Sequence, residues 1–157
     1  MNYCVIIRGP LGCGKTTIAK ELSKLMGASY FSVDTILDEN KLEEWDKGYI
    51  SLQSFLKAND ILSLKVFESE VPAVIDGNFY YKEQLEDLIS KLDSKHYVFT
   101  LKTSLDVCIE RDKKRTNSLG EDAVKAVFKK SNEFDYGTVI DVNKTLKECV
   151  DEIVSYI

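Results

Sequence analysis

Nowhere in the 157 residues is there an apolar run of the length a bilayer crossing needs, about 20 residues, so no membrane-spanning helix is expected. Met1-Asn2-Tyr3 leads straight into apolar residues, and no place for a signal peptide is expected either. Histidine occurs once, at His96, and tryptophan once, at Trp45. A lone histidine at the start of an apolar run is expected to be structural. The four cysteines, Cys4, Cys13, Cys108 and Cys149, lack metal-type spacing and favour a reducing compartment, so a cytoplasmic location is expected. Positive charge is in deficit, with 21 Lys and Arg against 26 Asp and Glu. A protein that neutralises a long row of phosphates is usually basic, so an extended nucleic acid is disfavoured as a partner. There is no internal repeat, low-complexity tract or linker, and one domain spanning residues 1–157 is expected. Oligomeric state is left open.

The informative segment is Gly9-Pro10-Leu11-Gly12-Cys13-Gly14-Lys15-Thr16-Thr17, a G-x-x-x-x-G-K-T pattern between an apolar strand and a helix. Glycine at 9, 12 and 14 lets the backbone turn tightly enough for its N–H groups to converge. With the positive end of the next helix, they make a cradle for a di- or triphosphate. Gly9, Gly12, Cys13, Gly14, Lys15, Thr16 and Thr17 are therefore candidate nucleotide contacts. Lys15 would reach the outer phosphates and the Thr16 hydroxyl would ligate Mg²⁺.

Beyond the loop, strand and helix patterns alternate. Strands are expected at Tyr3-Cys4-Val5-Ile6-Ile7, at Tyr30-Phe31-Ser32-Val33 ending on Asp34, at Pro72-Ala73-Val74-Ile75-Asp76, from His96 to Leu101, and at Thr138-Val139-Ile140-Asp141. Helices are expected between them, with one or two over residues 51–70, a polar, mobile stretch at 113–120, and a more polar stretch at 35–48 that begins as a helix-forming segment after Asp34. This predicts an α/β, three-layer arrangement around a five-stranded parallel sheet, with ligands at the carboxyl ends of the strands.

Three further features fall at that end. Asp76, at the tip of an apolar strand, is the expected second arm of the magnesium site. Gly77 and Asn78 follow it and could line an acceptor site, along with Asp34 and Asp76. Asp34 is read either as a general base facing the γ-phosphate or as a helix N-cap. Arg111 and Arg115, four apart, are placed on one helix face that leads into a lid at 111–120, where they would stabilise a transferring phosphoryl group. The alternative for them is a solvated face, because Glu110, Asp112, Lys113 and Lys114 are interleaved. Trp45 with Tyr49, or Phe79-Tyr80-Tyr81, could stack a substrate ring or simply pack.

Taken together, residues 9–17, Asp34, Val74-Ile75-Asp76-Gly77, the Arg111/Arg115 pair and Val139-Ile140-Asp141 resemble the small P-loop kinases of the adenylate and shikimate kinase group. The similarity is greatest to predicted ATP-dependent kinases related to zeta toxin, chloramphenicol phosphotransferase and the kinase domain of polynucleotide kinases. The resemblance implies a P-loop NTPase fold and transfer of the γ-phosphoryl group of ATP, with Mg²⁺, to a hydroxyl of a small molecule or nucleic acid end. It also implies catalytic roles for Lys15, Asp34, Arg111 and Arg115, nucleotide contact by Arg111, and an adenine site around residues 141–145. No Gly-Gly-Gly acceptor motif follows the third strand, and no extended nucleoside-monophosphate lid is present, so the acceptor is not named. A nucleoside or nucleotide kinase is one alternative, and an ATP-binding regulatory or interaction module with slow hydrolysis is another.

Overall fold

The computed structural model describes residues 2–157. Five parallel strands form the central sheet: β1 (Tyr3–Arg8), β2 (Ser29–Ser32), β5 (Ala73–Gly77), β6 (Lys95–Lys102) and β7 (Thr138–Asp141). Their spatial order is β2-β5-β1-β6-β7. β1 lies in the middle, with Val5 paired to Val74 on one side and to Tyr97 on the other. Strands covered on both faces read as continuous apolar runs, and residues 4–8 of β1 are all buried.

The period of two along β1 divides its side chains between two cores. Val5 and Ile7 join Ile18, Leu22, Leu101 and Val150 on one face. Cys4 and Ile6 join Phe55, Leu62, Ile75 and Leu85 on the other. The first core is covered by α1 (Lys15–Met26), α5 (Leu105–Lys113), α6 (Glu121–Ser131) and α7 (Leu146–Val154), and the second by α2 (Val33–Glu39), α3 (Leu52–Glu68) and α4 (Lys82–Lys91). Truncating a fully buried side chain such as Leu22 is expected to cost about 2–5 kcal/mol. Among the described residues, no helix is long and apolar enough to cross a membrane.

One expectation is corrected here. β2 stops at Ser32, whose hydroxyl caps α2 by accepting from the Thr35 N–H at 3.3 Å. Asp34 therefore lies in the first turn of a helix; it neither ends a strand nor serves as the N-cap. The polar stretch at 35–48 has regular structure over much of its length, beginning with the helix expected after Asp34. It carries most of α2 and then a hairpin of β3 (Trp45–Asp46) and β4 (Tyr49–Ile50). Lys47 and Gly48 both have positive φ (52° and 85°), which matches the right-handed twist of a two-residue hairpin turn. Residues 51–70 make a single helix, capped by Ser51.

Candidate nucleotide and acceptor site

The turn between β1 and α1 folds as its glycines require. Gly12 has φ +78°, and a Cβ there would sit 2.5 Å from the Cys108 carbonyl oxygen. Gly14, with φ +95°, is the N-cap of α1, and a Cβ on it would crowd the Arg111 guanidinium at 3.2 Å. The loop, Lys15, Thr16 and Thr17 line a pocket of about 350 Å³ with Arg111 and Arg115. Lys15 is largely buried and its ammonium donates to the Pro10 carbonyl at 2.8 Å, so it is already folded over the cradle. Gly9 packs beneath the loop, close to Leu101, and Cys13 is fully buried in the core. Burial pushes the Cys13 thiol up. Its contribution to the site is its carbonyl, which receives the Arg111 guanidinium at 2.8 Å.

Arg111 lies in the last turn of α5, where positive charge is favoured by the helix dipole. Arg115 does not share that helix, which ends at Lys113; it sits just beyond, with its N–H donating to the Asp112 carbonyl at 3.0 Å. Both arginines nevertheless reach the phosphate pocket. Asp112 is not part of a solvated face. It is buried and accepts from the Ser118 hydroxyl and from the Leu119 and Gly120 amides at 2.8, 3.2 and 3.1 Å. Burial alone would raise its carboxyl, but these hydrogen bonds and Arg115 outweigh it and hold the carboxyl below the usual range. The end of the stretch expected to be loose is thus moored to α5.

On the magnesium side, Asp76 at the end of β5 is 4% exposed and accepts from the Tyr30 hydroxyl through Oδ2 at 2.5 Å. Thr16 and Ser32 face the same hydroxyl, and burial together with Asp76 pushes the Tyr30 phenol up. The donor set of Thr16 and Asp76 is all oxygen and leaves Asp76 Oδ1 free of a partner among the described residues, which fits Mg²⁺. Among the described residues no cluster of three or more His, Cys, Asp or Glu forms a cage for a metal. The remaining coordination would come from phosphates and water, as is usual for this ion.

A second cavity of about 600 Å³ opens beside the first. Asp34, Asn78 and Arg115 line it, with Trp45, Tyr49 and Tyr80. The Asp34 carboxylate stays open to water inside the cleft while protein surrounds the cleft itself. That enclosure pushes its pKa upward, opposed by Lys15, reinforced by Asp76 and opposed again by Arg115. Gly77, a candidate for this wall, is instead buried, because a Cβ there would meet the Phe79 ring at 2.8 Å and Val33 at 2.9 Å. A third, smaller cavity of about 190 Å³ lies past Thr17 and Arg111, where Val142 and Lys144 fall within the segment expected to hold adenine. His96 lies exposed at the opposite, amino-terminal end of β6.

Sequence reasoning missed Tyr30, Asp112, the hairpin and Arg8. Arg8 closes β1, and a charged residue after an apolar strand reads as solvent-facing; here it is fully buried. Its guanidinium donates to the carbonyls of Phe79, Phe134 and Ser131 (3.3, 3.1 and 2.9 Å) and to the Thr100 hydroxyl (3.1 Å), and it stacks 4.2 Å from the Phe134 ring centre. Desolvation holds its pKa down to about 10, still far above neutrality. Arg8 thereby grips Phe79, a non-glycine residue at φ +46°, and fixes the turn that carries Asn78. For Tyr30 a signal was available: the strand period of two sends Phe31 to one core and Tyr30 to the other, toward the loop.

A family model described as an AAA domain matches residues 5–135. Among solved structures, the chain is similar to a sugar kinase from Janibacter sp. HTCC2649, at 15% identity over 99% of this chain and 94% of that one, with a TM-score of 0.84. It is similar to a gluconokinase from Sinorhizobium meliloti 1021, at 14% identity over 97% and 89%, with a TM-score of 0.78. It is also similar to the Deinococcus radiodurans tunicamycin resistance protein, at 20% identity over 99% and 95%, with a TM-score of 0.72. The chain belongs to the AAA-domain family and has the fold of small P-loop kinases.

Proposed function

We propose that this AAA-domain family member is an ATP-dependent kinase that transfers the γ-phosphoryl group to a hydroxyl, with residues 1–157 acting as one domain and 111–120 as its lid. One observation carries the reading: Arg115 lines both the phosphate pocket and the larger cavity that holds Asp34. A module that only binds ATP needs the loop and a magnesium site. It has no use for a carboxylate and a guanidinium placed where a second substrate would meet the γ-phosphate.

In this reading the loop amides and Lys15 hold the β- and γ-phosphates, and the adenine lies toward Val142 and Lys144. The acceptor oxygen attacks the γ-phosphorus as the bond to the β–γ bridging oxygen breaks, and ADP departs. Asp34 takes the hydroxyl proton. Its raised pKa makes it a better base than a free aspartate, and Lys15 and Arg115 oppose that rise by favouring the ionised form. Arg111 and Arg115 stabilise charge on the transferring group, which has a loose, dispersed transition state. Thr16 and Asp76 would hold Mg²⁺, which when bound neutralises phosphate charge.

The test is ATP consumption by the purified protein with and without mixtures of nucleosides, sugars and 5′-hydroxyl oligonucleotides. A rise with one mixture, with phosphate recovered on that compound, is the expected result. Consumption that stays flat throughout identifies a binding module instead.

A further inference from the structure

The wall of the larger cavity is unusually one-sided in its chemistry. Asp34, Asp38 and Glu43 bring three carboxylates to it, and among the described residues Arg115 is the single cation lining it. Arg115 also lines the phosphate pocket, so its charge is engaged by ATP when both substrates are present. Lys130 is nearby, but its ammonium rests over the rings of Tyr49 and Tyr81, 4.9 and 4.6 Å from their centres. The wall is also rich in acceptors. Asn78 Oδ1 is buried with no hydrogen-bond partner, a condition that asks for a donor from a ligand. Tyr80 oxygen already accepts from the Ile50 N–H at 3.1 Å, which leaves its own hydrogen for a ligand oxygen.

The aromatic side of the cavity is held in place. Trp45 is 67% exposed on the hairpin, at the cavity edge. The hairpin is tied to the turn after β5 by Tyr80 and by the Tyr81 hydroxyl, which donates to the Ile50 carbonyl at 2.9 Å. Tyr49 ties it to α6 through the Ala126 carbonyl at 3.2 Å. An indole at the edge of a cavity of ligand size, on a hairpin tied down at Tyr49 and Ile50, and a phenol in its wall suit a planar ring.

We infer, building on the kinase reading above, that the acceptor is a planar-ring compound rich in hydroxyl or amine donors and carrying no carboxylate or phosphate. An anionic acceptor would have to be desolvated beside three carboxylates without a cation of its own, which is selection by repulsion. A donor-rich ring compound satisfies the same carboxylates and Asn78.

Because Trp45 is the sole tryptophan, its fluorescence reports occupancy without any turnover. The experiment titrates the protein, with ADP and Mg²⁺ present, with four ribonucleosides and p-aminophenyl glucoside, and with nucleoside 5′-monophosphates, gluconate and shikimate. At least one uncharged ring compound is expected to change the emission and to bind tenfold or more tighter than every anionic probe. Equal or tighter binding of any anionic probe, or no response to any uncharged ring compound, overturns the inference. The double variant Asp38→Lys/Glu43→Lys should shift preference at least tenfold toward the monophosphate of the best nucleoside, and Asp38→Asn/Glu43→Gln should shift it the same way by less. An unchanged preference in both folded variants also overturns the inference. Binding preference can hold while phosphoryl transfer is absent, or fail while transfer is present, so the two readings are separable.

Discussion

The pocket at the glycine loop and the larger cavity beside it share Arg115 and little else in how they are made. The first comes almost wholly from one contiguous stretch, residues 12–17, with Arg111 added from the last turn of α5 and Arg115 from just beyond it. The second draws on α2, the hairpin, the turn after β5 and α6, segments some 80 residues apart in the chain. A triphosphate looks the same to every protein that binds it, and backbone amides at a helix start suffice to hold it. An acceptor differs from case to case, and its recognition rests on side chains that only the fold brings together.

Four measurements break or sharpen that contrast. The largest effect is expected on the phosphate side. Lys15→Ala should lower ATP turnover by about 10²–10³ or more, the scale of losing one preorganised donor, with little change in melting temperature because its ammonium anchors no core. Normal turnover in this variant would remove the basis for the whole site.

Next comes the boundary between the two regions. Asp34→Asn should lower acceptor phosphorylation by about 10², while ATP affinity stays within a few-fold. The folded protein holds this carboxyl's pKa above that of the unfolded chain, about 3.9. Protons therefore bind the native state more tightly, and stability declines as pH rises from about 4 through the native pKa. Ionising this group therefore costs the folded protein stability, so at neutral pH Asp34→Asn should melt at the same or a higher temperature. A lower melting temperature with unchanged turnover would make Asp34 structural.

The pH profile sharpens the same point. The acid limb of kcat/KM should fall at a pH above that of a free aspartate, because the base must be ionised to accept a proton. An acid limb at or below pH 4 would assign the base elsewhere.

The smallest effect is expected at the lid. Asp112→Ala should reduce turnover only a few-fold, yet hydrogen exchange at the Leu119 and Gly120 amides should quicken sharply, since Asp112 accepts from both. The depressed Asp112 carboxyl adds stability above its unfolded pKa that is lost as pH falls through the native value, so the same amides should lose protection in acid. Unchanged exchange in the variant would mean the lid is held by other contacts. Addition of a non-hydrolysable ATP analogue should protect residues 111–117 in the wild type through pairing of Arg111 and Arg115 with phosphate oxygens.

The sequence by itself determined the phosphate loop, the five parallel strands and the helices between them. Each depends on neighbours within a few residues: glycines that permit positive φ, apolar runs long enough to be buried on both faces, and a lysine at the first position of a helix. It also singled out Asp34, Asp76, Asn78 and the two arginines, though not their settings. Tertiary structure decided those settings. Ser32, not Asp34, became the cap, because β2 pairs with β5 only as far as Asp76. Gly77 went to the core under Phe79. Arg8 found neutral carbonyl partners up to 126 positions away, and Asp112 turned inward to moor residues 118–120. Such roles depend on which charges and polar atoms lose water together, and in one dimension a residue's partners are not its neighbours. Solvation is settled only when the chain closes on itself.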